Sequence, residues 1–360
     1  MDDPDLLVIG TLKCHHKVIA APMAGITDLP FRLVTRKYHS GLISTEMLSS
    51  QSLVHRHKRT LSMLNCLPEE HPLSIQLLGR DPRMMAESAK IVEASGADII
   101  DINMGCSVRK VISQGEGAAL LREPEEARRV IEAVVRSVQV PVTVKMRKGF
   151  SKNDRNCLLL ARIAQEAGVR AIIIHGRTSD QGFSGEVDWD IVTDMKREVS
   201  IPVIGNGDVK SPDDARELVR KSGCDAIMVG RAMLGNPWIL RSLSQCIESD
   251  SCPETYIPSL VERFEVAEFH IRCAREVFGD INAFKRIRKH LAWYVKGQPL
   301  SARMREMIFR TRSFDELEMR IRRYHQFLET LQRMESDCPC SFSGMESLFS
   351  ELVSLPSSRK

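Results

Sequence analysis

The chain reads as an α/β protein: a (β/α)8 TIM barrel followed by a small all-helical C-terminal domain. Three observations predict this. Eight short apolar runs recur between residues 17 and 229, each followed by a helical pattern. The ends of these runs carry polar side chains, as the C-terminal strand ends of a barrel do. After Pro237 the strand signal stops and helical periodicity replaces it.

In chain order the runs are Lys17–Pro22, Gly41–Glu46, Pro72–Leu77, Asp98–Asn103, Val140–Lys145, Ala171–His175, Ile201–Gly205 and Asp225–Val229. Their near-continuous hydrophobicity suits parallel strands covered on both faces. Pro124–Val138 and Asp154–Ala167 are apolar at helical spacing, and Pro124 and Pro212 stand where first-turn prolines do. A doubly wound sheet also alternates in this way, but eight units without a G-x-G-x-x-G turn favour the barrel. Further on, Phe284, Ile287, Leu291, Tyr294 and Val295 share one helix face. Lys285, Arg286, Lys289, Trp293 and Lys296 share the other. The expected organisation is a catalytic barrel over residues 1–245, a helical domain over 256–335, and a Ser-rich mobile tail over 336–360.

The 360 residues are 43% hydrophobic and 27% charged, which excludes a wholly disordered chain. No run approaches the ~18 consecutive apolar residues of a membrane span. The start, Met1-Asp2-Asp3-Pro4-Asp5, is acidic where a secretory leader is basic, so a cytoplasmic protein is expected. The 10 cysteines are scattered without C-x-x-C spacing, and reduced thiols are expected. Cys338-Pro339-Cys340 has no second pair to complete a metal site. The net charge of +4 is localised: residues 1–255 hold 33 basic and 33 acidic side chains, whereas 256–335 hold 16 and 11. A polyanionic partner explains that excess, and so does a solvated helix face.

The strand ends carry Pro22-Met23-Ala24-Gly25, Glu46, Gln76, Asn103-Met104-Gly105-Cys106, Lys145-Met146-Arg147, His175-Gly176-Arg177, Gly205-Asn206-Gly207-Asp208 and Gly230-Arg231. Many donors and few carboxylates suit a neutral or anionic ligand, not a metal. The last two strands form the phosphate end of such barrels. Glycines there admit close approach of backbone N–H groups, and Arg231 adds a bidentate donor. Asp208 is expected to cap the next helix. Lys145 closes an apolar strand, so it needs an anionic or carbonyl partner, from a ligand or from a salt bridge across the mouth. His175 has the same two readings. Cys106 opens a long loop, without clear helix, that runs to Glu123. A thiol of ordinary pKa, about 8.5, serves as a proton donor or a nucleophile.

These stretches resemble the tRNA-dihydrouridine synthases, flavin enzymes with a barrel and a C-terminal helical domain. The matching residues are Ala21-Pro22-Met23-Ala24-Gly25-Ile26-Thr27-Asp28, Ser74-Ile75-Gln76-Leu77, Asp101–Cys106, Val144-Lys145-Met146-Arg147, His175-Gly176-Arg177-Thr178, Asn206-Gly207-Asp208 and Gly230-Arg231-Ala232. Arg288–Tyr294 looks like the helical domain of the bacterial B-type branch. The resemblance spans about residues 17–330 in order. It implies FMN as cofactor and NADPH as reductant. Reduced flavin N5 would give hydride to C6 of a D-loop uridine in tRNA, and Cys106 would give a proton to C5.

By the same resemblance Pro22, Met23, Ala24, Gln76, Lys145, His175, Asn206, Gly207, Asp208, Gly230 and Arg231 would hold the flavin. Asn103 and Arg177 would hold the uracil. Lys285, Arg286, Lys289 and Trp293 would meet the tRNA. No membrane and no metal are expected, and a monomer is. One departure is Ser107, where the family usually has Pro; Ser restores an N–H and a freer φ. Two other readings stand beside this one. A dehydrogenase of a free pyrimidine, like the dihydroorotate dehydrogenases, would not need the basic helical segment. A tRNA-binding protein with lapsed catalysis would not need the flavin-facing set.

Overall fold

The computed structural model describes residues 6–249, 254–337 and 345–353. All eight apolar runs form strands. They are β3 (Val18–Ala20), β4 (Ile43–Ser44) with its short continuation β5 (Leu48–Ser49), β6 (Leu73–Leu78), β7 (Ile99–Met104), β8 (Val142–Arg147), β9 (Ala171–His175), β10 (Val203–Asn206) and β11 (Ala226–Val229). Every pairing among them is parallel, β3 joining both β11 and β4, and β4 joining β6, so the sheet closes on itself. Helices cover it, including Pro82–Ala94, Pro124–Ser137, Cys157–Glu166 and Pro212–Ser222. Pro124 and Pro212 do sit in first turns, where the missing N–H costs nothing.

An N-terminal hairpin precedes the eight strands. β1 (Leu7–Ile9) and β2 (Leu12–Cys14) pair antiparallel across a Gly10-Thr11 turn. Leu7, Ile9 and Cys14 pack with Ile99, Ala171 and Ala226, the first residues of three barrel strands. The hairpin thereby plugs the N-terminal end of the barrel and leaves the other end for the site. Two stretches also hold more helix than expected. The loop after Cys106 contains Arg109–Ser113 and a 3-10 turn at Gly117–Arg122. Met345–Val353, inside the stretch expected to be a mobile tail, is helical with Phe349 and Val353 buried one turn apart. Residues 336 and 337 end the helix Phe314–Asp337, and 338–344 and 354–360 lie outside the described residues.

Cys14, Cys66, Cys106, Cys157, Cys224 and Cys273 are free thiols. Cys246 is disulfide-bonded, against the expectation of reduced thiols, and no spacing motif marked it. No helix among the described residues is long and apolar enough to cross a membrane.

The chain divides into two compact units. The barrel unit runs through Met233 and takes in Trp238–Tyr256, so the helix Ile239–Glu248 belongs to it. The other unit comprises Leu234–Pro237 and the chain from Ile257 onward. Its helices are Leu260–Tyr294, Ser301–Arg310, Phe314–Asp337 and Met345–Val353. The first is interrupted at Gly279, whose φ of 67° and ψ of 162° leave the helical region. Only glycine enters that conformation without steric cost.

Candidate active site

Strand register assembles the polar residues at the open end of the barrel. Gln76 pairs with Asp101, and Asp101 with Thr143. Two residues further along, Asn103 pairs with Lys145. His175 pairs with Arg147 on one side and with Asn206 on the other.

Cys106 is held by a chain of hydrogen bonds that starts inside the barrel. Thr143 Oγ1 donates to Asp101 Oδ1 at 2.7 Å, and Gln76 Nε2 donates to Asp101 Oδ2 at 2.6 Å. Asn103 Nδ2 donates to Gln76 Oε1 at 2.7 Å. Asn103 Oδ1 then accepts from the backbone N–H of Gly105 at 3.1 Å and of Cys106 at 2.9 Å. From outside, Ala118 N donates to Cys106 O at 3.0 Å, and Arg147 Nε donates to Gly105 O at 2.8 Å. The loop is therefore fixed on both sides of the thiol, with Ser107 in place of Pro. Burial pushes the Cys106 thiol up, against a backbone hydrogen bond from Val108 and the Arg147 charge. The thiol stays protonated at neutral pH, as a proton donor must.

Lys145 Nζ donates to Asn206 Oδ1 at 3.1 Å, and Asn206 Nδ2 donates to Met228 O at 2.7 Å. Burial lowers Lys145 to about 8, with Asp101 pulling back and Arg147 pushing further down. His175 is buried, and its Nε2 has no hydrogen-bond partner among the described residues. Burial and the cations Lys145, Arg147, Arg177 and Arg231 hold its imidazole well below the usual range, so it is neutral. An orphaned polar atom in such a place marks a missing partner. Met23 lies beside Gly230, so the first and last strand ends meet: a Cβ on Gly230 would lie 3.5 Å from Met23 Sδ. Pro22 and Met23 are half-buried and Ala24 is exposed.

Two expectations need correction. Asp208 caps no helix: Ser211 does so, with Asp214 completing a capping box. Asp208 instead binds Arg177 and Arg231, the latter at 2.6 Å from Arg231 Nη2 to Asp208 Oδ1. Arg177 does not present itself to a substrate. It is 2% exposed, and its donors go to Asp208, Ser184 O and Gly185 O. Asn103 gives one amide hydrogen to Gln76 and its oxygen to the Cys106 loop, and its second amide hydrogen faces only the weak acceptor Met47 Sδ at 3.8 Å. Gln76 is committed to Asp101 and Asn103 and keeps one amide hydrogen free for a ligand.

Within the helical unit, Ile287, Leu291, Tyr294 and Val295 are buried as expected. Lys285 is exposed, while Arg286 and Lys289 are half-buried. The Arg286 guanidinium lies 4.4 Å from the Phe278 ring centre. Trp293 is half-buried: it packs edge-on against His290 at 5.2 Å, and its own backbone leaves no room for a Cβ on Gly235.

Sequence reasoning assigns no role to Asp101, Thr143, Arg147 or Phe183. The first three carried a signal, because strand side chains alternate. Asp101 shares a face with Asn103, and Thr143 and Arg147 share one with Lys145. Phe183 lies in an irregular loop, where no periodicity marks it.

A family model described as "Dihydrouridine synthase (Dus)" matches residues 18–332. The chain is 41% identical over 289 residues to the tRNA-dihydrouridine synthase B of Pasteurella multocida, covering 80% of this chain and 86% of that one. It is 37% identical over 301 residues to a probable tRNA-dihydrouridine synthase of Rickettsia conorii, covering 83% and 90%. Among solved structures it is similar to histamine dehydrogenase from Rhizobium sp. 4-9, with a TM-score of 0.55, 13% identity, and 74% of this chain and 50% of that chain covered. That last likeness bears on the fold alone. The match over the barrel and most of the helical unit, together with these relatives, makes the chain a member of the dihydrouridine synthase family.

Proposed function

We propose that this chain is a tRNA-dihydrouridine synthase, reducing a D-loop uridine of tRNA to 5,6-dihydrouridine with FMN as cofactor and NADPH as reductant. The observation that carries this reading is the protonated Cys106 thiol on a loop fixed by Asn103 and Arg147, at the end of the barrel where Lys145 and His175 gather.

The residues present fit a flavin. The unpartnered His175 Nε2, the Lys145 ammonium and the remaining Gln76 amide hydrogen suit a ring edge rich in acceptors. Asn206, Gly207, Gly230 and Arg231 suit a phosphate, with Pro22, Met23 and Ala24 alongside. Asp208 acts through Arg231, which it orients. A flavin held by these residues would supply the redox chemistry, taking hydride from NADPH and giving it to C6 of the uracil. Lys145 offsets negative charge that develops beside it. Cys106 Sγ–H gives its proton to C5, and Arg147 stabilises the thiolate left behind. The reading needs no metal and no second subunit.

A uracil in folded tRNA must leave its stack to reach the barrel. The helical unit, with Lys285, Arg286 and Lys289 along one helix, is assigned to the tRNA phosphates. The names of the relatives support tRNA as the substrate. A dehydrogenase of a free pyrimidine gains nothing from such a unit. The test is an assay of dihydrouridine-free tRNA with protein, FMN and NADPH, digested and mapped by mass spectrometry. A two-dalton gain at one D-loop uridine is the expected result. Turnover of free uracil or orotate without any gain on tRNA would overturn the reading.

A further inference from the structure

Phe183 is the most exposed large apolar side chain among the described barrel residues, at 62%. It is nevertheless held in a fixed loop. On its N-terminal side, Arg147 Nη1 donates to Thr178 O at 2.9 Å and Gly182 O at 2.8 Å. On its C-terminal side, Arg177 donates to Ser184 O at 3.1 Å and Gly185 O at 2.6 Å. Both arginines are almost wholly buried, at 3% and 2%. Burying a cation is costly unless it is paired and hydrogen-bonded. Two buried guanidiniums thus brace the backbone on either side of an apolar ring that itself buries little.

The same two arginines tie this loop to the rest of the site. Arg147 also holds Gly105 O, next to Cys106, and Arg177 also holds Asp208, which orients Arg231. The Phe183 ring centre lies 4.9 Å from the Arg231 guanidinium, 5.5 Å from that of Arg147 and 6.4 Å from the His175 ring. The ring therefore stands at the mouth, between the proton-donor loop and the phosphate end. We infer that Phe183 is a stacking platform for a nucleobase of the RNA substrate, with Arg147 and Arg177 as positioning residues that hold it. This rests on the tRNA reading above. An open aromatic face binds an unstacked base without reading its hydrogen-bonding edge, which suits a nucleotide drawn out of a folded RNA.

The experiment uses the flavin-loaded enzyme and its Phe183→Tyr, Phe183→Leu and Phe183→Ala variants. Flavin per chain, thermal melting, the rate of flavin reduction by NADPH without tRNA, and KM and kcat on dihydrouridine-free tRNA are measured for each. Flavin content and reduction rate are expected within two-fold of the parent throughout. KM for tRNA is expected to rise about ten-fold in the Leu and Ala variants, a modest stacking loss, and to stay near the parent in Tyr. Leu matches the apolar bulk but lacks the ring, so a Leu variant with the parent's KM would overturn the inference. Loss of flavin, or slow reduction by NADPH, in the Leu variant would also overturn it, by assigning the ring to the cofactor or the nicotinamide. A parent enzyme that modifies no tRNA would sink the tRNA reading and this inference together, before any variant is compared.

Discussion

Arg177 and Asp208 meet side by side at the barrel mouth, Nη1 to Oδ1 at 3.0 Å and Nη2 to Oδ2 at 2.5 Å. The arginine is buried and the carboxylate is 22% exposed. The two come from loops 31 residues apart in sequence. Their pairing turns Arg177 away from substrate and makes Asp208 the anchor of both Arg177 and Arg231.

Removing that anchor leaves a buried cation without its counter-charge. Asp208→Asn is expected to lower stability by about 2 kcal/mol, less than a fully buried pair because Asp208 is partly solvated. The hydrogen bonds from Arg177 hold the Asp208 carboxyl below the usual carboxylate range. A group depressed in this way stabilises the fold above its unfolded pKa, about 3.9, and loses that contribution as pH falls through the native value. Urea titrations should show the gap between parent and variant narrowing below pH 4. A gap that widens in acid contradicts the assignment.

Lys145 is lowered to about 8, mainly by burial. It is cationic below that pH and neutral above it. The rate at which NADPH reduces the bound flavin is expected to fall as pH rises through about 8. Lys145→Met should be about 100-fold slower at pH 7, the scale of losing one aimed charge, and should lack the alkaline limb. Stopped-flow absorbance across pH 6.5–9.5, a window of about three units around that pKa, reads both.

Cys106 is raised, first by burial. Its alkylation by iodoacetamide at pH 7.5 should be slower than that of a free thiol of pKa about 8.5, and should accelerate only in more alkaline buffer. Cys106→Ala should keep its flavin and lose tRNA turnover. Parent-rate dihydrouridine formation by that variant would remove the thiol from the mechanism.

Gly207 has a φ of 131°, and a Cβ there would stand 2.5 Å from Val187 Cγ2 and 3.0 Å from His175 Cδ2. Gly207→Ala combines backbone strain with overpacking against the imidazole. It is expected to cost about 1–3 kcal/mol and to reduce bound flavin. Thermal melting and the flavin-to-protein absorbance ratio check the two effects separately.

Lys285 is exposed on the basic helix, whereas Trp293 is half-buried and packs edge-on against His290. Lys285→Ala should weaken tRNA binding alike for different tRNAs and reduce the slope of log affinity against log salt by about 1. Trp293→Ala should act first on stability, by about 1–3 kcal/mol, less than a fully buried aromatic. Filter-binding at several salt concentrations separates the first effect from the second, which shows in a denaturant titration of the variant.

The eight strands, their parallel covered character and the helical nature of residues 256–335 are all legible in the amino-acid sequence. Hydrophobic periodicity is a local property, and each strand needed only its own apolar run. The sequence also places Gln76, Asn103, Cys106, Lys145, His175 and Asn206 at strand ends. A local signal went unread at Ser211 and Asp214, three residues apart, whose capping box displaces Asp208 from the cap. The apolar pair Phe349 and Val353, one turn apart, was a similar signal in the supposed tail.

Which of these groups meet depends on how the barrel closes. A two-residue period says that Asn103 points inward, but not that its amide bonds Gln76 and Cys106. It places Lys145 at the mouth, but Asn206, its partner, is 61 residues away. The closure of the barrel sets those neighbours, since strand register joins residues that share no local pattern. The same closure leaves an open N-terminal end, which the hairpin fills, and brings Arg147 from the end of β8 to brace Phe183 in the loop after β9, where Arg177 completes the brace.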